Sequence, residues 1–559
     1  MRIHIPPILM ICFIAMVLAF NCSAQTSDPV TYFRLRVELA TTSSVCQLAI
    51  EEVSYILSCR QIKVSGNTRK AGISFQRLWV APSQPGQSVS VTGDYAILPD
   101  AAQQTLLCQF VQEFGGVSNI HVYAIQSNGD SVLLHEINSF ASDTLNFSID
   151  LTSLQGTAPL TKTLTPVAPQ KLLCAFYYPW YSIGDWNSNL LLDHPATRYS
   201  SDDSAAIERH IQQAKSAGID VFLSSWWGPN SYTDQNLVTL LERAQQQSFL
   251  VAINFETLTT DPLTGETVAL DDTTIFAWLK YAISRYGAHP AYLKVDHKPV
   301  FVLWAFMTVS NSSWANIFDR LRTMGKEAVY IAMFNGEDPA LNGLEFSNGW
   351  HTYNILGVIQ RNDQVPTIFS QLYTNLGKAL HYYPLLTDDT TPKIWAATVQ
   401  PGYDDHLIPG RTSPILPRNN GDLYQSSFAA AVNSNPDWIF ITTWNEWWEH
   451  TYIEPSERYG DQFLQLTRQY AELWKGHPVS VQHLETATGI PFAIYQNYPN
   501  PFNSKTTIKF ALPQAERVTL KIYDLLGREV ATWLNERLMP GLHSIELDAS
   551  SLSSGVFFY

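Results

Sequence analysis

Eight apolar runs, each about the length of one buried strand, recur through the middle of the chain and constrain its fold more than any other feature. They read "LLCAFYY", "IDVFLSSWW", "FLVAINFE", "PVFVLWAF", "AVYIAMF", "GWHTYNIL", "KIWAATV" and "WIFITTW". Most are nearly continuous in apolar residues, as strands covered on both faces must be. Between the first two lies "DDSAAIERHIQQAKSAGID". Its Ile207, Ile211 and Ala214 fall at helical spacing, acidic residues open it and Gly218 stops it. "NLVTLLERAQQQ" and "TIFAWLKYAISRYG" fill the next two gaps in the same way. Only the gap before "GWHTYNIL" leaves little room for a helix. Strands alternating with helices over 171–475 predict a (β/α)8 TIM barrel. An open doubly wound sheet is the alternative, but no G-x-G-x-x-G or phosphate loop accompanies it.

The flanks have a different texture, so the chain is multidomain. Residues 28–155 alternate apolar and polar in short runs such as "YFRLRVEL" and "NIHVYAI", and predict an N-terminal β-sandwich as an accessory domain. The Thr- and Pro-rich stretch 156–170 reads as a linker, and 476–492 as a second one. Residues 493–559 return to a β pattern. At the start, Arg2 and His4 precede an apolar run from Ile8 to Phe20, and small residues follow to Ala24. Thirteen apolar residues are too few to span a bilayer, so 1–24 reads as a secretory signal peptide. A lipoprotein acylated at Cys22 is the weaker reading, and no later segment is apolar enough for a membrane span. Cys46, Cys59, Cys108 and Cys174 form no C-x-x-C pair. They leave room for one disulfide in the first domain, without fixing its pairing.

Chemistry in a barrel of this kind sits at the C-terminal strand ends. Strand one ends in Tyr177, Tyr178, Trp180, Tyr181 and Asp185, strand two in Trp226 and Trp227, and strand three in Asn254 and Glu256. Strand six carries His351 and Tyr353, "QPGYDDH" follows strand seven, and strand eight runs into "WNEWWEH". Rings and acids on one rim suit a sugar cleft. Charged residues are only 15% of the chain and the net charge is −15, which excludes a phosphate-backbone partner such as nucleic acid. Glu446 and Glu449, three residues apart among Trp444, Trp447 and Trp448, fit the two carboxyl groups that divide glycosidic cleavage. Close like charges partly walled off from water resist joint ionisation, which would raise one pKa and supply the acid. A metal hydrolase built on His351, His406 and His450 lacks an H-E-x-x-H or a tight ligand cluster, so neither metal nor cofactor is expected.

The segments "AFYYPWY", "GIDVFLSSWWGP", "YGAHPAYLKVDHKPVFVLW", "QPGYDD" and "WNEWWEHTYIEP" stand in the order seen in glycoside hydrolase family 99, which the chain resembles over about residues 171–475. That family contains endo-α-1,2-mannosidases and related mannanases. The resemblance implies a barrel that cleaves α-mannosides inside a chain with retention, the substrate's own 2-hydroxyl serving as nucleophile. By it, Glu446 assists deprotonation of that hydroxyl, and Glu449 is the acid and then the base. Glu256 matches the family's strand-three acid. Tyr178, Trp227, Tyr353, Tyr403, Asn445 and Trp448 join it as candidate substrate contacts, and Glu454 is expected to serve structure. Family members commonly read "NEWHEGT", where Trp448 and His450 here replace a His and a Gly. That departure leaves open an inactive surface carbohydrate-binding protein, or an endo-glycosidase for a different α-glycan.

The tail resembles the sorting domain of type IX secretion cargo, through "NYPNPFN", "TTIKFALP", "VTLKIYDLLGREV" and "SSGVFFY". The resemblance implies a small C-terminal β-sandwich, a type IX secretion machinery as partner, and a secreted or cell-surface location. Such tails usually run a strand or two beyond "GVFFY", so truncation is the expectation here. The remaining partner is a polysaccharide or glycan substrate.

Overall fold

The structure is a computed structural model. It describes residues 29–475 apart from 51–55, 74–76, 85, 98–104, 113–115, 143, 151–158, 166–170, 261–266, 335–343, 355 and 357–358. In the tail it describes 493–494, 497, 502, 505–512, 516–523, 528–538, 541–549, 555, 557 and 559. The proposed leader 1–24 and the linker 476–492 lie outside the described residues. The chain divides into two compact units after Lys475.

The first unit is built around a closed ring of eight parallel strands: β1 (Leu172–Tyr177), β2 (Val221–Trp226), β3 (Leu250–Glu256), β4 (Lys298–Trp304), β5 (Val329–Met333), β6 (Gly349–His351), β7 (Ile394–Val399) and β8 (Trp438–Ile441). Each pairs with the next, and β8 pairs back onto β1 with Leu172 opposite Trp438. Alternation decides which side chains enter the ring. Leu172, Cys174, Phe176, Leu223, Ala252, Val302, Ile331, Ala396 and Phe440 share the inner cluster, whereas Leu173, Ala175 and Tyr177 join Ile207, Ile211 and Ala214 in the outer one. The interior is thus a packed core, and the openings that matter lie at its ends.

Among the described residues seven α-helices accompany the ring: α1 (Ser204–Ser216), α2 (Tyr232–Gln246), α3 (Asp272–Tyr286), α4 (Asn311–Thr323), α5 (Ser370–Tyr382), α6 (Asp422–Asn433) and α7 (Gln462–Lys475). Asp203, Ser231, Asp271 and Ser310 cap the first four through side-chain oxygens that accept backbone N–H groups. Gly218 follows α1 at φ +79°, and a Cβ there would lie 2.8 Å from that of Ala471 on α7. Among the described residues no α-helix joins β5 to β6, where the sequence left little room for one.

Ahead of the barrel lie two antiparallel sheets, one around Val30–Thr41 and one around Cys46–Ile50 and Thr105–Gln112. Leu35, Val37, Leu48, Val80, Val91 and Phe110 are buried in one core cluster. Cys46, Cys59 and Cys108 are buried thiols, so the disulfide left open by the sequence is not formed there. The stretch read as a linker is partly a strand: Leu160–Lys162 pairs with Val30–Tyr32. It is then tied to the barrel by Lys162 Nζ, which donates to the carbonyls of Pro384 and Thr387. Tyr32 and Ser58 donate to Leu385 and Ala379 at 2.9 and 3.0 Å, and Tyr32, Leu57, Leu164, Leu385 and Leu386 cluster between them. This contact falls on residues 379–387, ahead of the amino end of β7 and away from the carboxyl-end rim.

The second unit holds a three-stranded sheet, Ala493–Ile494 with Lys505–Leu512 and Gly541–Asp548, and a two-stranded sheet, Glu516–Tyr523 with Glu529–Leu538. Ile508, Leu520, Ile522 and Leu547 are buried together.

Candidate functional site

The loop after β8 folds back on itself and carries both acids. Thr443 N–H donates to Thr451 O, Thr451 N–H to Glu446 O, and Glu454 N–H to Trp444 O. Thr443 Oγ1 accepts from Glu446 N–H at 2.8 Å. The loop is fastened to the end of the neighbouring β1 by Asn445, whose Oδ1 accepts from Tyr178 N–H at 2.7 Å while its Nδ2 donates to Tyr178 O and to the Tyr199 hydroxyl. Asn445 is fully buried and three of its amide's four hydrogen-bonding positions are used in this way, so it clamps the loop onto β1.

Within this frame Glu446 is 4% exposed. Its Oε1 accepts from Trp448 N–H at 3.1 Å and lies 3.5 Å from the Tyr181 hydroxyl, which itself accepts Trp447 N–H. Glu449 keeps 18% of its side chain exposed, its Oε2 is 3.4 Å from the Tyr353 hydroxyl, and Arg411 Nη1 lies 3.9 Å from its Oε1. Burial first, then the neighbouring Glu449, pushes the Glu446 carboxyl well above the usual range. Burial pushes Glu449 up to about 7, with Arg411 opposing and Asp405 adding to the rise. Two carboxyls that interact so closely lose their protons as a pair.

A third carboxyl faces them from the end of β3. Glu256 Oε1 accepts from Ser225 Oγ at 2.7 Å and Asn254 Nδ2 at 2.9 Å, and Trp227 Nε1 donates to the same serine. Burial nonetheless raises it to about 8. That rise favours the protonated form of Glu256 near neutral pH.

Rings line the rim between β1, β2 and β8. Trp227 stands 6.3 Å from Trp180, Trp180 is 4.5 Å from Tyr178, and Trp448 lies over Tyr181 at 6.3 Å. The Tyr178 and Tyr353 hydroxyls are 2.6 Å apart. Of the three tryptophans near the acids only Trp448 is part-exposed. Trp444 is buried against Phe222, and Trp447 stacks on Tyr452 at 3.7 Å and donates to Glu454. Glu454 also accepts from Tyr199 at 3.0 Å and lies 2.9 Å from His210 Nε2, in a buried network behind the cleft. Tyr403 is buried too, with its hydroxyl on Asp405 Oδ2 at 2.7 Å, one residue removed from the cleft.

The three rim histidines go different ways. His351 lies inside the barrel between Phe176 and Phe440, His406 pairs with Asp404 at 2.5 Å, and His450 is buried against Tyr452. No group of three His, Cys, Asp or Glu side chains among the described residues is arranged to hold a metal ion. Tyr181, Ser225, Asp405 and Arg411 are the neighbours of the acids that sequence reasoning did not single out. Tyr181 had a signal in its place at a strand end. Arg411 had none, since it reaches Glu449 only because Tyr403 and Leu416 pair to fold the β7 loop over the rim.

A family model described as glycosyl hydrolase family 99 matches residues 185–466, half of the chain. A second, the secretion system C-terminal sorting domain, matches 496–559 and marks the chain as a secreted or cell-surface protein. A glycoprotein endo-alpha-1,2-mannosidase-like protein of Mus musculus is 26% identical, over 54% of this chain and 76% of its own length. The glycoprotein endo-alpha-1,2-mannosidase of Rattus norvegicus is 27% identical, over 50% of this chain and 67% of its own. A solved GH99 endo-alpha-mannosidase from Bacteroides thetaiotaomicron is 23% identical, covering 56% of this chain and 99% of that one at a TM-score of 0.45. With the ring-lined rim and its acids on one side and the matched family on the other, the chain is a glycoside hydrolase and belongs to glycosyl hydrolase family 99.

Proposed function

We propose that this enzyme is a retaining endo-α-mannosidase, cleaving internal linkages of an α-1,2-mannan-like glycan with Glu446 and Glu449 and the substrate's 2-hydroxyl. The observation that carries the reading is one loop presenting two buried, mutually repelling carboxyls opposite a ring-lined wall, with no third group needed as nucleophile. Glu446 takes the proton of the 2-hydroxyl as that oxygen bonds to the anomeric carbon. The bond to the leaving sugar breaks, and its oxygen receives the proton of Glu449. Water then attacks the anomeric carbon of the 1,2-anhydro sugar and gives its proton to Glu449, while Glu446 returns a proton to the 2-oxygen. Two inversions leave the configuration retained.

The electrostatics support a pair that shares one proton; Glu446 is raised further than Glu449, so the assignment of base and acid rests on the family resemblance. The reaction needs one proton and one charge on the pair, and burial keeps the first proton on until near neutrality. Glu256, neutral and facing the same cleft, supplies a hydroxyl-binding donor without adding a third charge. Tyr178, Trp227, Tyr353 and Trp448 are the proposed ring and hydroxyl contacts. Trp448 is the observation that favours a different α-glycan, since an apolar wall stands where the resembling sequences carry an imidazole.

The test is incubation of the full chain with α-1,2-linked manno-oligosaccharides and a polymeric α-mannan, with products separated by chromatography and the first-formed anomer read by NMR. Internal cleavage giving the α-anomer, lost in Glu446→Gln and Glu449→Gln, is the expected result. Binding without turnover would replace the enzyme reading with a lectin-like one. A β-anomer at early times would remove the 2-hydroxyl route.

A further inference from the structure

The loop between β7 and α6 carries a charge pair that the reaction scheme leaves unused. It leaves the barrel at Gln400, and the backbones of Tyr403 and Leu416 exchange hydrogen bonds at 2.9 Å in each direction. Asp404 N–H donates to Glu449 O at 2.9 Å, so the loop is fastened to the β8 loop at the acid itself. Asp405 is 1% exposed, and its Oδ2 accepts from Tyr403 at 2.7 Å and Ser413 at 3.1 Å, with Arg411 Nη1 at 3.5 Å. Its Oδ1 is buried with no hydrogen-bond partner among the described residues. The guanidinium of Arg411, half exposed, stands between this carboxylate and Glu449 Oε1 at 3.9 Å.

We propose that Asp405 and Arg411 are positioning residues for Glu449: Asp405 anchors the guanidinium over the rim, and Arg411 holds the carboxylate that Glu449 becomes once its proton has gone to the leaving sugar. The inference rests on the acid/base role given to Glu449 above. In the first step Glu449 passes from neutral to anionic while Glu446 passes from anionic to neutral, so the pair's total charge is unchanged and only its place moves. A fixed cation beside Glu449 favours the second arrangement, and a fixed anion on the far side of that cation limits the preference. Without Asp405 the cation would keep Glu449 ionised in the resting enzyme. Without Arg411 the carboxylate left by proton transfer would face Asp405 with no compensating charge. The groups facing Glu449 are Glu446 on its own loop, Tyr178 and Tyr353 at β1 and β6, Glu256 at β3, and Tyr403, Asp405 and Arg411 on the β7 loop. Arg411 is the cation among those named.

The two residues must therefore act with opposite sign. Arg411→Ala should move both limbs of the pH profile of kcat/KM upward by about 0.5–1 pH unit, and Asp405→Asn should move them downward. Arg411→Lys should recover most of the shift and only part of kcat, because a point charge replaces a planar fork. The Glu449 carboxyl is titrated alongside by pH-difference infrared spectroscopy, each variant being compared with the same variant carrying Glu449→Gln. That readout needs no substrate, so it separates the two ideas. Opposite shifts in the infrared titration without cleavage of any α-mannoside would uphold the clamp and sink the mannosidase reading. Shifts of the same sign, or lower activity with unmoved limbs and an unmoved infrared titration, would show that the loop only props the rim.

Discussion

Glu256→Gln isolates the consequence of burying a protonated acid. In the fold burial outweighs the two donors and pushes the Glu256 carboxyl up to about 8, from an ordinary value of 4.5. A folded-state pKa raised above the unfolded one means the native chain holds a proton that the unfolded chain has released. Stability is therefore lost as pH climbs from about 4.5 to about 8. Integrating that difference gives a penalty of about 1 kcal/mol at pH 5 and about 4 kcal/mol at pH 8. Glutamine keeps a carbonyl to accept from Ser225 and Asn254, and carries no titration. Unfolding entropy scales to about 1 kcal/mol per degree for a unit of this size. The melting temperature of Glu256→Gln minus wild type should then rise by about 3 °C between pH 5 and pH 8. Scanning calorimetry of both proteins at the two pH values checks this, and the other titrating groups largely cancel in the double difference. A gap independent of pH would refute the reasoning, since Glu256 would then be ionised in the folded chain like any surface acid.

Other outcomes follow from the same loops. Glu449→Gln and Glu446→Gln should each lower kcat by about 10²–10⁴-fold with binding of α-manno-oligosaccharides retained, which calorimetric titration can measure. Tyr181→Phe leaves Trp447 N–H buried without its acceptor and should cost about 1–3 kcal/mol in urea unfolding, while raising the first limb of the pH profile through Glu446. His450 sits at φ +55°, so Gly there should be more stable than Ala by about 1 kcal/mol, the reverse of the usual order, as denaturation midpoints would show. Trp448→His should change KM across a panel of α-linked oligosaccharides by more than it changes kcat, whereas equal losses for all sugars would place Trp448 outside the cleft.

The barrel was legible because strands sealed on both faces leave continuous apolar runs, and because the acidic opening of "DDSAAIERHIQQAKSAGID" and Gly218 mark the ends of its helix in their own chemistry. The stretch 156–170 misled for an equally physical reason. Thr and Pro suit loops and strand edges alike, and nothing local reveals that Leu160–Lys162 pairs with Val30–Tyr32. At the site, Glu446 and Glu449 stand out as a pair even in one dimension. The run of tryptophans does not say which rings face the cleft: the turn sends Trp444 and Trp447 into the core and leaves Trp448 part-exposed. Asn445 illustrates the same limit, since its amide is spent on a backbone 267 positions away in the chain. Arg411 is invisible in sequence because its partners are made neighbours by a loop that crosses back over the rim.

That clamp also sets when the enzyme becomes competent. Asn445 grips Tyr178 only once the last strand has closed against the first, so the two ends of a 270-residue circuit must meet before the acids are aimed. Contacts this distant in sequence carry a large loop-closure entropy before they return any stabilisation. A chain still threaded, half made or unfolded for passage across a membrane would carry both glutamates on a slack loop, chemically present and idle. Closing the ring and aiming the two glutamates are thus one event in the chain's history, because the same contact does both.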